Sequence, residues 1–362
     1  MKPRVGIDAH FLSRLEGNRS YVLALLRALA RSGATERFEI TVYTLNPERD
    51  ADALGPGAFH WERLPRSSLL RFALGIRYVQ RRDRLDLWHA TFVAPGGRAR
   101  LVLAVHDALA LARTGLLPRA TAAKLRLLLP RSIERARVVL VPTESVKRDL
   151  VALGLGERAR VAPIGIDTSV FHAAPSDSRL DPGASAPGPR EGPREGFVLA
   201  VGRAERRKRL PLLLRAFARA RASGRRLVLA GPVDPAGFAA PDVTVVPSPD
   251  ERSLADLYRG ARALVYPSAG EGLGLPVLEA FACGTPVVAS DIEPVREVAG
   301  GAALALVPVD DEVALARAIT RAFEVTPDER ERLARLGLER VAPYSLEAMA
   351  RAVEQAWQEA LA

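Results

Sequence analysis

Short apolar runs separated by longer amphipathic stretches recur twice along this 362-residue chain, once on each side of a segment dense in Pro, Gly, Ser and Ala. No other feature restricts the fold as much. A short apolar run bounded by turn residues suits a strand buried on both faces, and the amphipathic stretches suit helices that cover a parallel sheet. The first half predicts strands at 4–8, 38–44, 86–89, 101–105 and 138–141, with helices at 21–32 and 120–136. The second half predicts strands at 197–201, 226–230, 243–246, 263–266, 286–289 and 303–307, with helices at 210–223, 253–260, 275–283 and 311–323. A length well above the roughly 150 residues of one ordinary domain agrees with two α/β, Rossmann-like, doubly wound domains. Their expected bounds are 1–171 and 197–343, joined by a linker or mobile loop over 172–196 and followed by an amphipathic helix within 344–362.

The chain carries a net charge of +10, which raises the question of nucleic acid. All but four of its 52 basic residues are arginines, the lysines being Lys2, Lys124, Lys147 and Lys208. Those arginines are scattered, and aromatic residues make up only 6% of the chain, so stacking platforms are scarce. Nucleic acid is therefore not expected as a partner. A peripheral contact of the basic surface with anionic lipid remains within expectation. No apolar run reaches the roughly 18 to 20 residues of a membrane span, and MKPRVGIDAH enters a strand without a secretory signal, so the expected location is cytoplasmic. Cys283 is the only cysteine, which leaves no disulfide framework. No metal-ligand constellation stands out, and Asp50 and Asp52, the one D-x-D pair, are expected in a solvated polar loop.

The chemistry concentrates in YPSAGEGLGLPVLEAFACGTPVVASD, from Tyr266 to Asp291. Gly270, Gly272 and Gly274 let backbone approach a ligand and expose N–H groups. The helix beginning near Pro276 aims its positive end at the same place, and Glu271 and Glu279 add acceptors for hydroxyls. Such a set suits a phosphorylated sugar. Upstream, GRAERRK follows a strand ending at Gly202, so Arg203, Arg207 and Lys208 occupy the usual anion position beyond a strand's carboxyl end; a solvated basic loop is the plain alternative. In the first half His106 and Asp107 end a strand, where His106 can exchange a proton or orient a hydroxyl. His10, His60, His89 and His172 have no comparable setting. The stretch around Gly17, Asn18 and Arg19 forms a loop before a helix starting near Ser20, and Thr143 reads as a helix N-cap.

Taken together, these residues resemble the retaining, nucleotide-sugar-dependent glycosyltransferases of the GT-B fold, in the large bacterial family with many mannosyl- and glucosyltransferases. The matching segments are GRAERRK, the Tyr266–Asp291 run with its E-x7-E spacing, EVAGGAA and PVDDEVALARAI, preceded by VGIDA, DLWHA, VHDAL, PTESVKRDL and PIGIDTSVF. The resemblance implies two Rossmann-like domains facing a cleft, the first binding acceptor and the second nucleotide sugar, with the last helix crossing back onto the first. It implies a catalytic set of His106, Glu271, Arg203 and Lys208. Donor contacts would come from Gly202, Arg203, Lys208, Glu271, Gly272, Leu273, Gly274, Leu275 and Glu279. Glu271 would touch the transferred sugar and Glu279 the ribose, Arg203 and Lys208 would hold the diphosphate, and Gly17, Asn18, Arg19 and Asp107 would face the acceptor.

No cofactor or metal is implied, because cations and the helix dipole would stabilise the departing diphosphate. The expected donor is GDP-mannose ahead of UDP-glucose or another UDP-sugar, with a carbohydrate, lipid-linked or small-molecule acceptor. Retention at the anomeric carbon and a front-face reaction go with the same resemblance. Three departures bear on the acceptor side and loop geometry: Arg19 replaces a common glycine, Ile164 a common asparagine, and Leu273 a frequent aromatic. The altered loop also leaves a catalytically idle nucleotide-sugar-binding protein as a competing class.

Overall fold

The computed structural model describes residues 1–13, 17–54, 57–112, 115–173, 196–220 and 224–362. They divide into two units, one of Met1–Gly165 with Tyr344–Ala362 and one of Ile166–Pro343. In the first unit β1 (Arg4–Asp8), β2 (Glu39–Thr44), β3 (His60–Arg63), β4 (Leu87–Thr91), β5 (Arg100–Ala104), β6 (Val138–Val141) and β7 (Ala159–Val161) form one sheet in the order β3-β2-β1-β4-β5-β6-β7. In the second, β8 (Gly196–Val201), β9 (Arg225–Gly231), β10 (Val243–Pro247), β11 (Leu264–Tyr266), β12 (Val287–Ser290) and β13 (Ala305–Val307) follow the order β10-β9-β8-β11-β12-β13. Every pairing in both sheets is parallel.

Strand order reverses between β1 and β4 in the first sheet and between β8 and β11 in the second. At such a switch point the connections leave on opposite faces, which opens a crevice beyond the strands' carboxyl ends. The central strands are largely apolar because helices cover both faces: Val198, Leu199, Val287 and Val288 are fully buried. Eleven strands lie within two residues of their predicted places. The unpredicted ones, β3 (HWER) and β7 (ARV), sit at the edges of the first sheet, where one neighbour suffices and no apolar run is needed.

Two sequence expectations change. The D-x-D pair lies in a helix, Pro47–Leu54, and Asp50 is buried, accepting from the Thr44 hydroxyl at the end of β2. Residues 166–171 belong to the second unit, not the first; Phe171 packs edge-on against Tyr258 at 6.2 Å, and the His172 carbonyl accepts from Arg259. Most of the expected linker, 174–195, lies outside the described residues.

The terminal helix, Leu346–Leu361, packs within the first unit against the Gly17–Arg31 helix. Trp357 anchors it: fully buried, it meets Phe38 edge-on at 5.2 Å and donates its indole N–H to His89 Nδ1 at 3.0 Å. Since Nδ1 accepts, the His89 proton sits on Nε2 and is donated to the Tyr21 hydroxyl at 2.8 Å. Burial lowers the His89 pKa to about 3 despite the nearby Asp8, which keeps this ring neutral. Glu354 adds a polar tie, accepting from Ser32 at 2.7 Å and from Arg37 at 2.8 and 3.0 Å.

Candidate functional site

In the second unit the loops after β8 and β11 leave the two strands that flank the switch point, and they are knitted together. The Ala269 amide donates to the Arg207 carbonyl at 2.8 Å, and the Ser268 hydroxyl reaches the same oxygen at 3.2 Å. A single 3-10 turn, Arg206–Lys208, turns Lys208 inward while Arg206 stays exposed. The backbone ends of β8 and β9 approach closely enough that a Cβ on Gly231 would lie 2.4 Å from the Gly202 carbonyl oxygen. The Leu275–Ala282 helix opens on Gly274 at φ 95°, a left-handed position that glycine takes without strain.

Glu271 is the centre of this arrangement. Its Oε1 accepts from Lys208 Nζ at 2.7 Å and from Ser268 Oγ at 2.5 Å, and its Oε2 accepts from Arg207 Nη1 at 2.6 Å. Burial alone would raise its pKa. The charges of Lys208 and Arg207 outweigh that and hold it at about 2, so the group is a carboxylate at neutral pH. Lys208, itself buried, also donates to the Tyr266 hydroxyl at 2.7 Å and stands 4.5 Å from that ring's centroid. Desolvation lowers the Lys208 pKa from its ordinary value, and Glu271 opposes the shift. Arg203, Arg207 and Lys208 set against Glu205 and Glu271 leave a local surplus of positive charge beside the helix N-terminus.

Glu279, on the Leu275–Ala282 helix, is in a different electrostatic state. Its Oε2 accepts from the Tyr258 hydroxyl at 2.8 Å. Burial raises its pKa to about 7, only partly offset by that hydrogen bond. The two carboxylates thus differ strongly, one ionised throughout and one poised near neutrality.

The remaining predicted residues divide as follows. Gly202 begins the basic loop, close enough to Lys208 that a Cβ there would sit 3.3 Å from the lysine Cε. Arg203 is half-buried and pairs with Glu205 at 3.4 Å, whereas Arg207, which also pairs with Glu205 at 2.8 Å, is the arginine that reaches Glu271. Gly272, Leu273 and Gly274 are buried, and Leu275 starts the helix. Arg207 was visible as part of a basic loop; only the fold shows which of its arginines turns toward a carboxylate 64 positions away.

In the first unit His106 follows β5, packed 4.3 Å from Tyr21 and 5.3 Å from Phe92 by ring centroids. Its Nε2 is buried without a hydrogen-bond partner among the described residues. Burial, reinforced by His89, lowers its pKa to about 3. Of the two expected roles, proton exchange or orienting a hydroxyl, burial favours the second, since it keeps the ring neutral and suited to hydrogen bonding. Asp107 accepts from the Leu109 amide at 3.0 Å, bracing its own turn. Gly17, Asn18 and Arg19 form the first turn of a helix that begins three residues earlier than expected. Thr143 accepts from the Val146 amide at 3.2 Å as an N-cap. His10 and His89, the latter expected only to end a strand, are both buried: His10 Nδ1 donates to Asp8 at 2.6 Å, just beyond β1 at the first sheet's switch point.

Two family models match the chain in tandem. Residues 17–170 match the model described as Glycosyltransferase Family 4, and residues 195–324 match Glycosyl transferases group 1. Among curated proteins, the D-inositol 3-phosphate glycosyltransferase of Mycolicibacterium smegmatis is 32% identical over 239 residues, which cover 59% of this chain and 50% of that protein. The protein of the same name from Mycobacterium avium is 32% identical over 176 residues, 44% of this chain and 40% of that one. The chain therefore aligns with about half the length of these relatives or less. Among solved structures, sucrose-phosphate synthase from Thermosynechococcus elongatus superposes with a TM-score of 0.75 at 22% identity, over 99% of both chains. Anabaena HepE in complex with UDP and glucose gives 0.71 at 15% identity, over 98% and 99%. WaaG, a glycosyltransferase involved in lipopolysaccharide biosynthesis, gives 0.73 at 18%, over 96% and 98%. These likenesses establish the GT-B fold.

Proposed function

We propose that this chain is a group 1 glycosyltransferase and that it transfers a hexose from a nucleoside diphosphate sugar to an acceptor hydroxyl with retention at the anomeric carbon, a reading supported by the two family models and the GT-B fold. The observation that carries the reading is the Lys208–Glu271–Arg207 cluster, formed by the two loops at the second sheet's switch point. Cations there suit the departing diphosphate, and a carboxylate beside them suits sugar hydroxyls. Arg203 and the Gly272–Leu275 backbone are proposed to complete the diphosphate contacts, and Glu279 to receive the ribose hydroxyls. His106 is proposed to hydrogen-bond a substrate hydroxyl, the role open to a neutral ring.

In the proposed reaction the bond from the anomeric carbon to the diphosphate oxygen breaks with both electrons leaving on the diphosphate. The acceptor oxygen bonds to the same face of that carbon, and its proton passes to the leaving phosphate. Arg207, Lys208 and the helix N-terminus stabilise the developing negative charge without a metal. GDP-mannose is the proposed donor, with a UDP-sugar as the competing one; HepE, in its complexes, holds UDP and glucose or UDP-glucose. A cytoplasmic site of action and a carbohydrate, lipid-linked or small-molecule acceptor go with the proposal.

A thermal-shift panel of GDP, UDP and ADP with their sugars tests it. Stabilisation by one family of donor, followed by sugar release or transfer, is the expected result. No stabilisation by any would refute the donor site, and tight binding without turnover over a broad acceptor screen would favour the idle binding protein.

A further inference from the structure

No helix among the described residues is long and apolar enough to cross a membrane. Yet the first unit carries a surface that a soluble protein has little reason to display. Five of the twelve exposed large apolar side chains among the described residues fall in two segments: Leu69 (77% exposed), Leu70 (54%), Leu74 (66%) and Tyr78 (62%) in one, Leu127 (57%) in the other. The first segment runs through a short helix, Ser68–Leu70, a π-helical turn, Arg71–Gly75, and the Ile76–Arg82 helix; the second is the Arg119–Arg135 helix. They adjoin one another, for Lys124 of the long helix lies 5.6 Å from the Phe72 ring.

Charge on this surface is mostly basic. Exposed on it are Arg66, Arg77, Arg81, Arg119, Lys124 and Arg126, while Arg82 is paired with Glu62 and Asp83 and the long helix carries one acidic residue, Glu134, in its last turn. Over the whole chain the signs are closer to balance, with 42 acidic residues against 52 basic ones. The apolar segment is also held in shape from beneath. Arg71 is 1% exposed and donates to the carbonyls of Pro65 at 2.9 Å and Arg66 at 3.2 Å, which fixes the turn that presents Leu69, Leu70 and Leu74 outward.

We propose that this face docks the protein on a bilayer bearing anionic lipid, Leu69, Leu70, Leu74, Tyr78 and Leu127 entering the headgroup–acyl boundary while the surrounding arginines meet lipid phosphates. Exposed leucines with a tyrosine and a mostly basic surround are the composition of an interfacial anchor. Long arginine stems bury along the apolar surface while their heads stay in the phosphate layer. A second copy of this chain is a poorer match, since two such faces would set like charges against each other. The docking is independent of the transfer reaction and goes beyond it.

Flotation of the full chain with phosphatidylcholine vesicles, with and without one third phosphatidylglycerol, tests the proposal. Binding is expected only to the anionic vesicles and should fall about tenfold or more in the L69S/L74S/Y78S variant. Arg81→Glu with Arg119→Glu should abolish it, while Leu338→Ser, an exposed leucine in the second unit, leaves it intact. The melting temperature and nucleotide-sugar response of each variant identify any that misfold and keep this test separate from the donor reading. Equal binding to neutral vesicles, unchanged binding by the triple variant, or a dimer that the triple variant dissolves would overturn it.

Discussion

Replacing Glu271 by Gln removes one negative charge and little volume from between two cations. In the structure its oxygens lie 2.7 Å from Lys208 and 2.6 Å from Arg207. The carboxyl pKa of about 2, against 4.5 for an ordinary glutamate, corresponds to ~3 kcal/mol of net preference for the ionised form, at about 1.4 kcal/mol per unit. The side chain is only 9% exposed, so solvent screening removes little of this. Glu271→Gln should therefore lower folding stability at neutral pH by ~3 kcal/mol, within the range for breaking one side of a buried pair. The sign with pH follows from the lowered value: the contribution is present above pH 4.5 and disappears as pH falls through about 2.

The same substitution has an opposite effect on the proposed ligand. Lys208 and Arg207 lose their carboxylate, so a diphosphate no longer competes with it for their charge. If under half of that ~3 kcal/mol reappears as anion affinity, nucleoside diphosphate should bind about tenfold tighter to the variant, while transfer is lost with the sugar contact. Titration calorimetry with the free diphosphate, beside urea unfolding with and without it, measures both effects. A variant that binds the diphosphate tenfold more weakly, at full occupancy of folded protein, would show that Glu271 does not hold the cations against phosphate.

Three further outcomes follow from other contacts. Glu279, with a pKa raised to about 7, keeps its proton when folded while the unfolded chain loses it near 4.5, so its effect on stability grows less favourable as pH rises from 4.5 to 7; because it retains some solvent access, Glu279→Gln should gain a discounted ~2 kcal/mol at pH 8 and nothing at pH 4, read by urea unfolding. Trp357→Phe leaves His89 Nδ1 buried without its donor and should cost ~1–3 kcal/mol, with faster amide exchange in the terminal helix. Gly231→Ala forces a Cβ to 2.4 Å from the Gly202 carbonyl at φ 133° and should destabilise by ~2 kcal/mol or more; an unchanged urea midpoint would show that the β8 and β9 ends can separate freely.

The sheets were legible because a strand buried on both faces writes its whole length in apolar residues, as VVLV and FVLAV do. What stayed hidden was set by contacts distant in sequence. β3 and β7 are short and polar because edge strands need little apolar surface. Asp50 read as solvated, since nothing local shows that Thr44 lies against it. The E-x7-E spacing singled out both glutamates, but their opposite electrostatics depend on surroundings distant in sequence: Arg207 and Lys208 for one, burial and the charge of Glu251 for the other. His106 read by position as either a proton carrier or a hydroxyl-orienting ring, and burial beside Tyr21 and Phe92 favours the second.

The Glu271 cluster gives the proposed enzyme a physical reason to prefer a whole nucleotide sugar over its diphosphate. A free diphosphate meets Lys208 and Arg207 already neutralised in part, so it binds against the carboxylate. A sugar hydroxyl that donates to Glu271 takes up part of that carboxylate's hydrogen-bonding capacity and loosens its hold on the cations, which then turn their charge to the phosphates. Sugar and diphosphate contacts on one ligand would thereby be positively coupled through one side chain, with the coupling bounded by the ~3 kcal/mol that Glu271 draws from the pair. In the Glu271→Gln protein that coupling has no carrier. The affinity ratio between nucleotide sugar and diphosphate should collapse toward one, because the diphosphate gains and the sugar does not. A ratio preserved in the variant would place the preference elsewhere, in contacts made by the sugar alone.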